Sequence, residues 1–179
     1  MTPSRIFLTG NPGCGKTTIA RKVCDALETK GMKPGGIISQ EIRKGGVRVG
    51  FGLEDLMTHD KGMLASVDDT DGPRVGKYHV NLQDIEHIAA VAIRRAMSEA
   101  DIVFVDELGP MELHSVPFIQ AVERALECPK GFVGTIHPRA IHRLVAAVRS
   151  NPAHHIIQVT LDNREQIPSR ILEQLTSHD

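Results

Sequence analysis

Short, dense apolar runs alternate with amphipathic stretches along the chain, so positions repeating every two residues give way to positions repeating every three or four. Arg5-Ile6-Phe7-Leu8-Thr9 reads as a buried strand. Thr17 to Lys30 reads as a helix carrying Ile19, Val23, Ala26 and Leu27 on one face, with Gly31 ending it. Gly36-Ile37-Ile38-Ser39 opens a second strand that runs on through Gln40-Glu41-Ile42-Arg43. Gly45-Gly46 then turns the chain into the alternating run Val47 to Leu53, and this unit is expected to be a β-hairpin. The stretch from Met57 to Pro73 is rich in Asp, Gly and Thr, holds a short strand at Gly62 to Ser66, and is expected to be a mobile flap.

The remaining chain repeats one step. A helix is expected from Asp84 to Ala100, with Ile85, Ile88, Ala89, Ala92, Ile93 and Ala96 facing the core, followed by the apolar strand Ile102-Val103-Phe104-Val105. A helix from Val116 to Leu126, a strand from Phe132 to Ile136, a helix from Arg139 to Val148, a strand from His155 to Thr160 and a helix from Asn163 to Leu175 complete the pattern. Strands alternating with helices predict an α/β fold. Its sheet is mostly parallel and flanked by helices on both faces, with a β-hairpin insertion, and its ligand lies at the carboxyl ends of the strands. At 179 residues, one domain over 1–179 is expected.

Composition narrows the function. Aromatic residues are 3% of the chain and Trp is absent, so the core is expected to be Ile, Val, Leu, Ala and Met, the residues of buried parallel strands. The 21 Lys and Arg against 22 Asp and Glu give a net charge of −1, which supplies no field to gather nucleic acid or an anionic membrane. The chain shows neither a basic stripe nor stacking aromatics, which argues against a nucleic-acid motor. No apolar run approaches the roughly 18 residues of a membrane span, and no stretch resembles a signal peptide. The 3 cysteines are odd in number and form no C-x-x-C pair, which points to the reducing cytoplasm.

Chemistry enters with Gly10-Asn11-Pro12-Gly13-Cys14-Gly15-Lys16-Thr17, which fits G-x-x-x-x-G-K-[ST] and lies between a predicted strand and a predicted helix. Glycines let successive amides curl towards one centre, and the following helix adds its positive N-terminus, so triphosphate is the natural guest. The Thr17 hydroxyl would hold Mg2+ together with phosphate oxygens. Ile102-Val103-Phe104-Val105-Asp106-Glu107 is an apolar strand ended by two acids, the pattern of a Walker B strand. It delivers Asp106 to the metal and places Glu107 where it would polarise an attacking water.

Other signals refine this. Asp106-Glu107-Leu108-Gly109 also fits D-x-x-G of GTP-binding switches, but no Asn-Lys-x-Asp is present to read guanine. Thr135-Ile136-His137 ends a strand, so His137 is either a γ-phosphate sensor or a residue that merely ends a strand before Pro138. The histidines lack helical i, i+4 spacing and nearby cysteines, which argues against zinc. Arg43, Arg48, Arg139 and Arg164 are candidates for neutralising transition-state charge, and the sequence does not choose among them.

Together the loop extended by Thr18, Glu41-Ile42-Arg43 with Arg48-Val49-Gly50-Phe51, Val105-Asp106-Glu107-Leu108-Gly109-Pro110-Met111-Glu112, Gly134-Thr135-Ile136-His137 and Asn163-Arg164 resemble the small nucleoside-triphosphatases first known from hyperthermophiles and related to the human cancer-related nucleoside-triphosphatase. The resemblance spans nearly the whole chain. It implies Mg2+-dependent hydrolysis of several nucleoside triphosphates, ATP, GTP, CTP and UTP among them, to the diphosphate and phosphate with loose base choice. It implies that Lys16, Thr17 and Thr18 belong to the phosphate site, that Asp106 and Glu107 supply the metal contact and the catalytic carboxylate, and that Asn163 and Arg164 line the base. Two other readings stay open. One is a small-molecule or nucleoside kinase whose acceptor is held by Arg43, Lys44, Arg48, Lys61 and Arg74. The other is a nucleotide-gated binding protein switched through the 57–73 segment.

Overall fold

The apolar runs pair side by side as parallel strands because each is covered on both faces. The structure, a computed structural model, describes residues 3–176. The order is β1 (Arg5–Thr9), α1 (Lys16–Thr29), β2 (Pro34–Lys44), β3 (Val47–Asp55), β4 (Lys61–Ser66), β5 (Arg74–Val75), β6 (Tyr78–Val80), α2 (Leu82–Asp84) and α3 (Ala90–Glu99). It continues with β7 (Ile102–Leu108), α4 (Val116–Glu127), β8 (Gly131–Ile136), α5 (Arg143–Ser150), β9 (His154–Gln158) and α6 (Ile167–Thr176).

All nine strands share one sheet in the order β5-β6-β4-β3-β2-β7-β8-β1-β9. From β2 to β9 every pairing is parallel, and from β2 outwards to β5 every pairing is antiparallel. Successive side chains point to opposite faces. Phe7, Ile37, Val103, Val105 and Phe132 therefore pack with the buried faces of α3, α4 and α5, whereas Ile6, Leu8, Ile38, Phe104 and Val133 pack with those of α1 and α6. The expected α/β architecture with helices on both faces is present, and the expected hairpin is β2–β3.

The details differ from the sequence expectation in instructive ways. The core is not purely aliphatic: Phe7, Phe104, Phe118 and Phe132 are fully buried, and Phe7 and Phe132 stack at 5.4 Å between ring centroids. The segment expected as a flap carries its expected short strand as β4, but that strand is held between β3 and β6 inside the sheet. The helix expected from Asp84 begins earlier, where the Asn81 side chain accepts from Asp84 N–H at 3.0 Å, and it contains one π-helical turn, Ile85–Ala89, before α3. The helix expected from Arg139 starts at Arg143, because His142 caps it by accepting the Leu144 N–H at 3.1 Å. The last helix starts at Ile167 rather than Asn163, leaving residues 161–166 as consecutive turns.

Where β2 meets β7 the backbones touch so closely that only glycine fits. Gly36 has φ +106°, and a methyl group there would stand 2.0 Å from the Phe104 carbonyl oxygen. Gly36→Ala is expected to destabilise the fold by about 3 kcal/mol, the cost of combined backbone strain and overpacking. Urea unfolding should show a lowered midpoint with an unchanged slope.

Candidate active site

The loop between β1 and α1 closes around its own backbone. Gly10, Gly13 and Gly15 take φ of +153°, +80° and +107°, and a methyl group on Gly10 would strike the Val159 carbonyl oxygen at 2.6 Å. Gly15 stands at the start of α1 with no side-chain cap, and the first turn carries no acid, so the N–H groups there are free to meet an anion. The Lys16 side chain is buried and folds back over the loop, donating to Gly10 O at 2.7 Å and Asn11 O at 3.4 Å. Asn11, Pro12, Gly13 and Thr18 are exposed around it, and Cys14 is buried.

Asp106 ties this loop to the sheet. Its carboxylate accepts from Thr17 Oγ1 at 2.8 Å, from Ser39 Oγ at 3.0 Å and N at 3.3 Å, and from Thr135 Oγ1 at 2.5 Å. Residues from α1, β2 and β8 thus converge on one acid of β7. The pairing of β7 with β8 shifts between Val105 and Leu108, so Asp106 and Glu107 together face the single residue Thr135. The extra residue changes the aim of both side chains at the carboxyl edge of the sheet. The donor set Thr17 hydroxyl, Ser39 hydroxyl and Asp106 carboxylate is all hard oxygen, which suits a divalent cation completed by phosphate oxygens and water. Among the described residues no group of three or more His, Cys, Asp or Glu could hold a metal ion.

Two further acids lie beside Asp106. Burial, then the neighbouring Asp106 charge, pushes the Glu107 carboxyl up to about 7, against a downward pull from Lys16. Glu112 is buried, and burial followed by the Glu107 charge holds its carboxyl well above the usual carboxylate range. Just past the end of β8, where the His137 N–H donates to Leu108 O at 3.1 Å, burial and then Lys16 and Arg139 lower the pKa of His137. Its Nδ1 accepts the Arg139 N–H at 3.2 Å, so the neutral ring carries its proton on Nε2 and offers a donor there.

Asn163 and Arg164, expected to line the base, behave differently from each other. The Asn163 amide is consumed within its own loop, accepting Thr160 N–H at 2.8 Å and donating to Gln158 O at 2.8 Å. Arg164 lies against the loop, with its Cδ 3.6 Å from where a Gly15 side chain would begin. Of the other arginines, Arg43 donates to Glu41 and Gly46 O, and Arg48 to Glu41 and the Tyr78 hydroxyl, so both are committed at the hairpin. Arg139 is exposed beside His137.

Sequence reasoning singled out Lys16, Thr17, Asp106, Glu107 and His137, and these surround one place. It missed Ser39 as a partner of Asp106 and Glu112 as a buried acid. Ser39 had one usable signal, its place directly after the apolar pair at the level where the parallel pairing of β2 with β7 ends.

A mixed sheet whose parallel core carries this loop at the mouth of β1 defines a P-loop NTPase fold, and two solved structures share it. THEP1 from the hyperthermophile Aquifex aeolicus superposes with a TM-score of 0.84 at 32% identity, covering 96% of this chain and 99% of that one. A human cancer-related nucleoside triphosphatase superposes with a TM-score of 0.83 at 33% identity, covering 98% and 99%. A family profile described as NTPase matches residues 5–172. Nucleoside-triphosphatase THEP1 of Thermofilum pendens is 42% identical over 99% of this chain and 98% of that protein. The relative from Methanosarcina acetivorans is 45% identical over 93% and 94%. The chain belongs to the THEP1 nucleoside-triphosphatase family and is a nucleoside-triphosphatase.

The raised Glu107 pKa has a stability consequence. A carboxyl that titrates near 7 when folded and at the ordinary 4.5 when unfolded keeps its proton more tightly in the folded chain, so stability falls as pH rises between those values. In metal-free protein, Glu107→Gln should therefore be more stable than wild type above pH 7, by on the order of 2 kcal/mol. The gain should shrink as pH falls and vanish below about pH 4, read by thermal melts of both proteins across that range.

Proposed function

We propose that the chain hydrolyses ATP, GTP, CTP and UTP to the diphosphate and phosphate, dependent on Mg2+ and with low base specificity. The observation that supports this reading is the hydrogen bond from the Thr17 hydroxyl to the Asp106 carboxylate at 2.8 Å, which joins the start of α1 to the strand that carries Glu107. Thr17 and Asp106 would hold Mg2+, Asp106 through water, and the ion would neutralise charge on the β- and γ-phosphate oxygens.

The protein's own groups do the rest. The amides of Gly13 to Thr18 cradle the phosphates, with Asn11 and Pro12 forming the rim. The Lys16 ammonium exchanges its carbonyl partners, Gly10 O and Asn11 O, for phosphate oxygens. Glu107 takes a proton from water as the water oxygen bonds to the γ-phosphorus, and the bond to the β,γ-bridging oxygen breaks with its electrons passing to the diphosphate. A carboxyl that titrates near 7 is well matched to that task. His137 Nε2–H donates to a γ-phosphate oxygen. Arg164 covers the base side beside Gly15, and the Asn163 amide shapes that loop rather than reading a base edge, which supports the loose base choice.

Hydrolysis is favoured over phosphoryl transfer to an acceptor because four of the five cations suggested for an acceptor, all but Lys61, have internal partners. Arg43 and Arg48 pair with Glu41, Lys44 with Asp68 at 3.0 Å, and Arg74 donates to Gly76 O at 2.9 Å. Residues 1–179 act as one catalytic domain in this reading, supported by the single sheet shared by all nine strands. The free thiols of Cys14, Cys24 and Cys128 fit the reducing cytoplasm. Among the described residues no helix is long and apolar enough to cross a membrane.

Phosphate release from the four nucleotides, with Mg2+ and with chelator, tests the reading directly. Comparable rates across bases and loss of activity on chelation are expected. Glu107→Gln should lower kcat by roughly 10²- to 10⁴-fold with KM little changed, and a variant that still turns over at the wild-type rate removes Glu107 from the mechanism.

A further inference from the structure

Glu112 has no part in the hydrolytic scheme above, yet it is one of the few charged residues fully inside the protein, at 3% exposure. It sits on a single 3-10 turn, Glu112–His114, just beyond the end of β7. Backbone N–H groups, its own and that of Glu107, favour the charged form of its carboxyl against the burial and the Glu107 charge that raise its pKa. Between the two acids lies Gly109. A methyl group there would stand 2.8 Å from Glu112 Oε2 and 3.0 Å from Glu107 Oε1, so both carboxyl groups lie against this glycine. Burying an acid is costly unless polar groups compensate it, and here one of the N–H groups that favour its charge belongs to Glu107, the residue whose direction matters most.

We propose that Glu112 is a positioning residue: by fastening the Glu107 N–H and lying against Gly109, it fixes where the Glu107 carboxylate points. The proposal rests on the assignment of Glu107 as the general base. The Glu107 side chain leaves an irregular stretch of β7, where ladder pairing with β8 is interrupted between Val105 and Leu108. Ladder hydrogen bonds thus do not hold the backbone at that point, and the Glu112 carboxyl supplies a hold from the other side. Gly109 is required because any side chain would separate the two acids. Glu112 touches neither water nor phosphate. It acts only through Glu107.

A double-mutant cycle tests this, with Glu112→Ala and Glu112→Gln made in the wild-type and the Glu107→Gln backgrounds. Steady-state kcat and KM, single-turnover hydrolysis of radiolabelled ATP and melting temperature are read for each. Glu112→Ala is expected to lower kcat on the order of 10²-fold, the cost of a base displaced by about 1 Å, with KM within about 3-fold of wild type. Glu112→Gln keeps an oxygen that can accept the Glu107 N–H and should restore kcat to within about 3-fold of wild type. In the Glu107→Gln background neither substitution should slow the reaction further. Wild-type kcat in Glu112→Ala overturns the proposal. So does an equal loss in both backgrounds, a Gln variant as slow as the Ala variant, or a fall in kcat that comes only with raised KM and lost melting temperature.

If Glu107→Gln alone hydrolyses at the wild-type rate, the general-base assignment fails. If it is slow while Glu112→Ala is normal, only the positioning role fails. Should Glu112→Ala not fold, Gly109→Ala carries the test with both acids in place. It should lower kcat at least about 10-fold with KM retained, and an unchanged kcat overturns the role.

Discussion

Four parts of the molecule are held to one carboxylate. Asp106 takes hydrogen bonds from Thr17 of α1, Ser39 of β2 and Thr135 of β8, and itself ends the apolar run of β7. An unpaired acid at 3% exposure would be strongly disfavoured, and these charge-assisted bonds offset that cost while fixing the loop to the sheet. The strand order makes them possible. Because β8 lies between β1 and β7, Thr135 stands beside Asp106, and β2 on the other side brings Ser39. The phosphate loop is therefore positioned by the sheet through a polar contact, and not only by apolar packing beneath α1.

Around Asp106 the protein tolerates an arrangement that stability alone would disfavour. Asp106, Glu107 and Glu112 crowd within one corner, and their mutual repulsion with burial raises the last two acids. The compensations are specific: hydroxyl donors for Asp106, the Lys16 cation for Glu107, and backbone N–H groups for Glu112. Each of the three acids thus faces a different environment, which is how neighbouring carboxyls come to have different chemical roles. His137 is held neutral with its Nε2 proton available, and Lys16 occupies loop carbonyls that a phosphate would replace.

Much of this was legible along the chain. The phosphate loop is local: glycines, lysine and threonine at fixed spacing need only a strand before and a helix after, and the Walker B strand advertises itself by four apolar residues and two acids. The layered fold followed from the alternation of periods. Helix ends were less legible, since His142 and the Asn163 turn displace starts that hydrophobic periodicity alone would set at Arg139 and Asn163. The short strand at 62–66 was legible, but the 57–73 segment around it read as a flap from composition, because polar and glycine content says nothing about that strand being held between β3 and β6. The buried phenylalanines were obscured for another reason: a small aromatic fraction can still fill the centre of a core, as Phe7 against Phe132 does.

The sequence by itself determined the phosphate loop, the adjacent acids of β7 and the alternating fold, because each is written in residues close together in the chain. Only the tertiary structure decided which distant residues complete the site. Ser39 and Thr135 reach Asp106 from strands paired far apart in sequence, and Glu112 lies over Glu107 because the chain folds back at Gly109. The Asn163 side chain turns inward to its own loop while Arg164 settles against Gly15. Such roles depend on strand order, register and burial, which arise from packing the whole sheet and are not carried by any short stretch of residues.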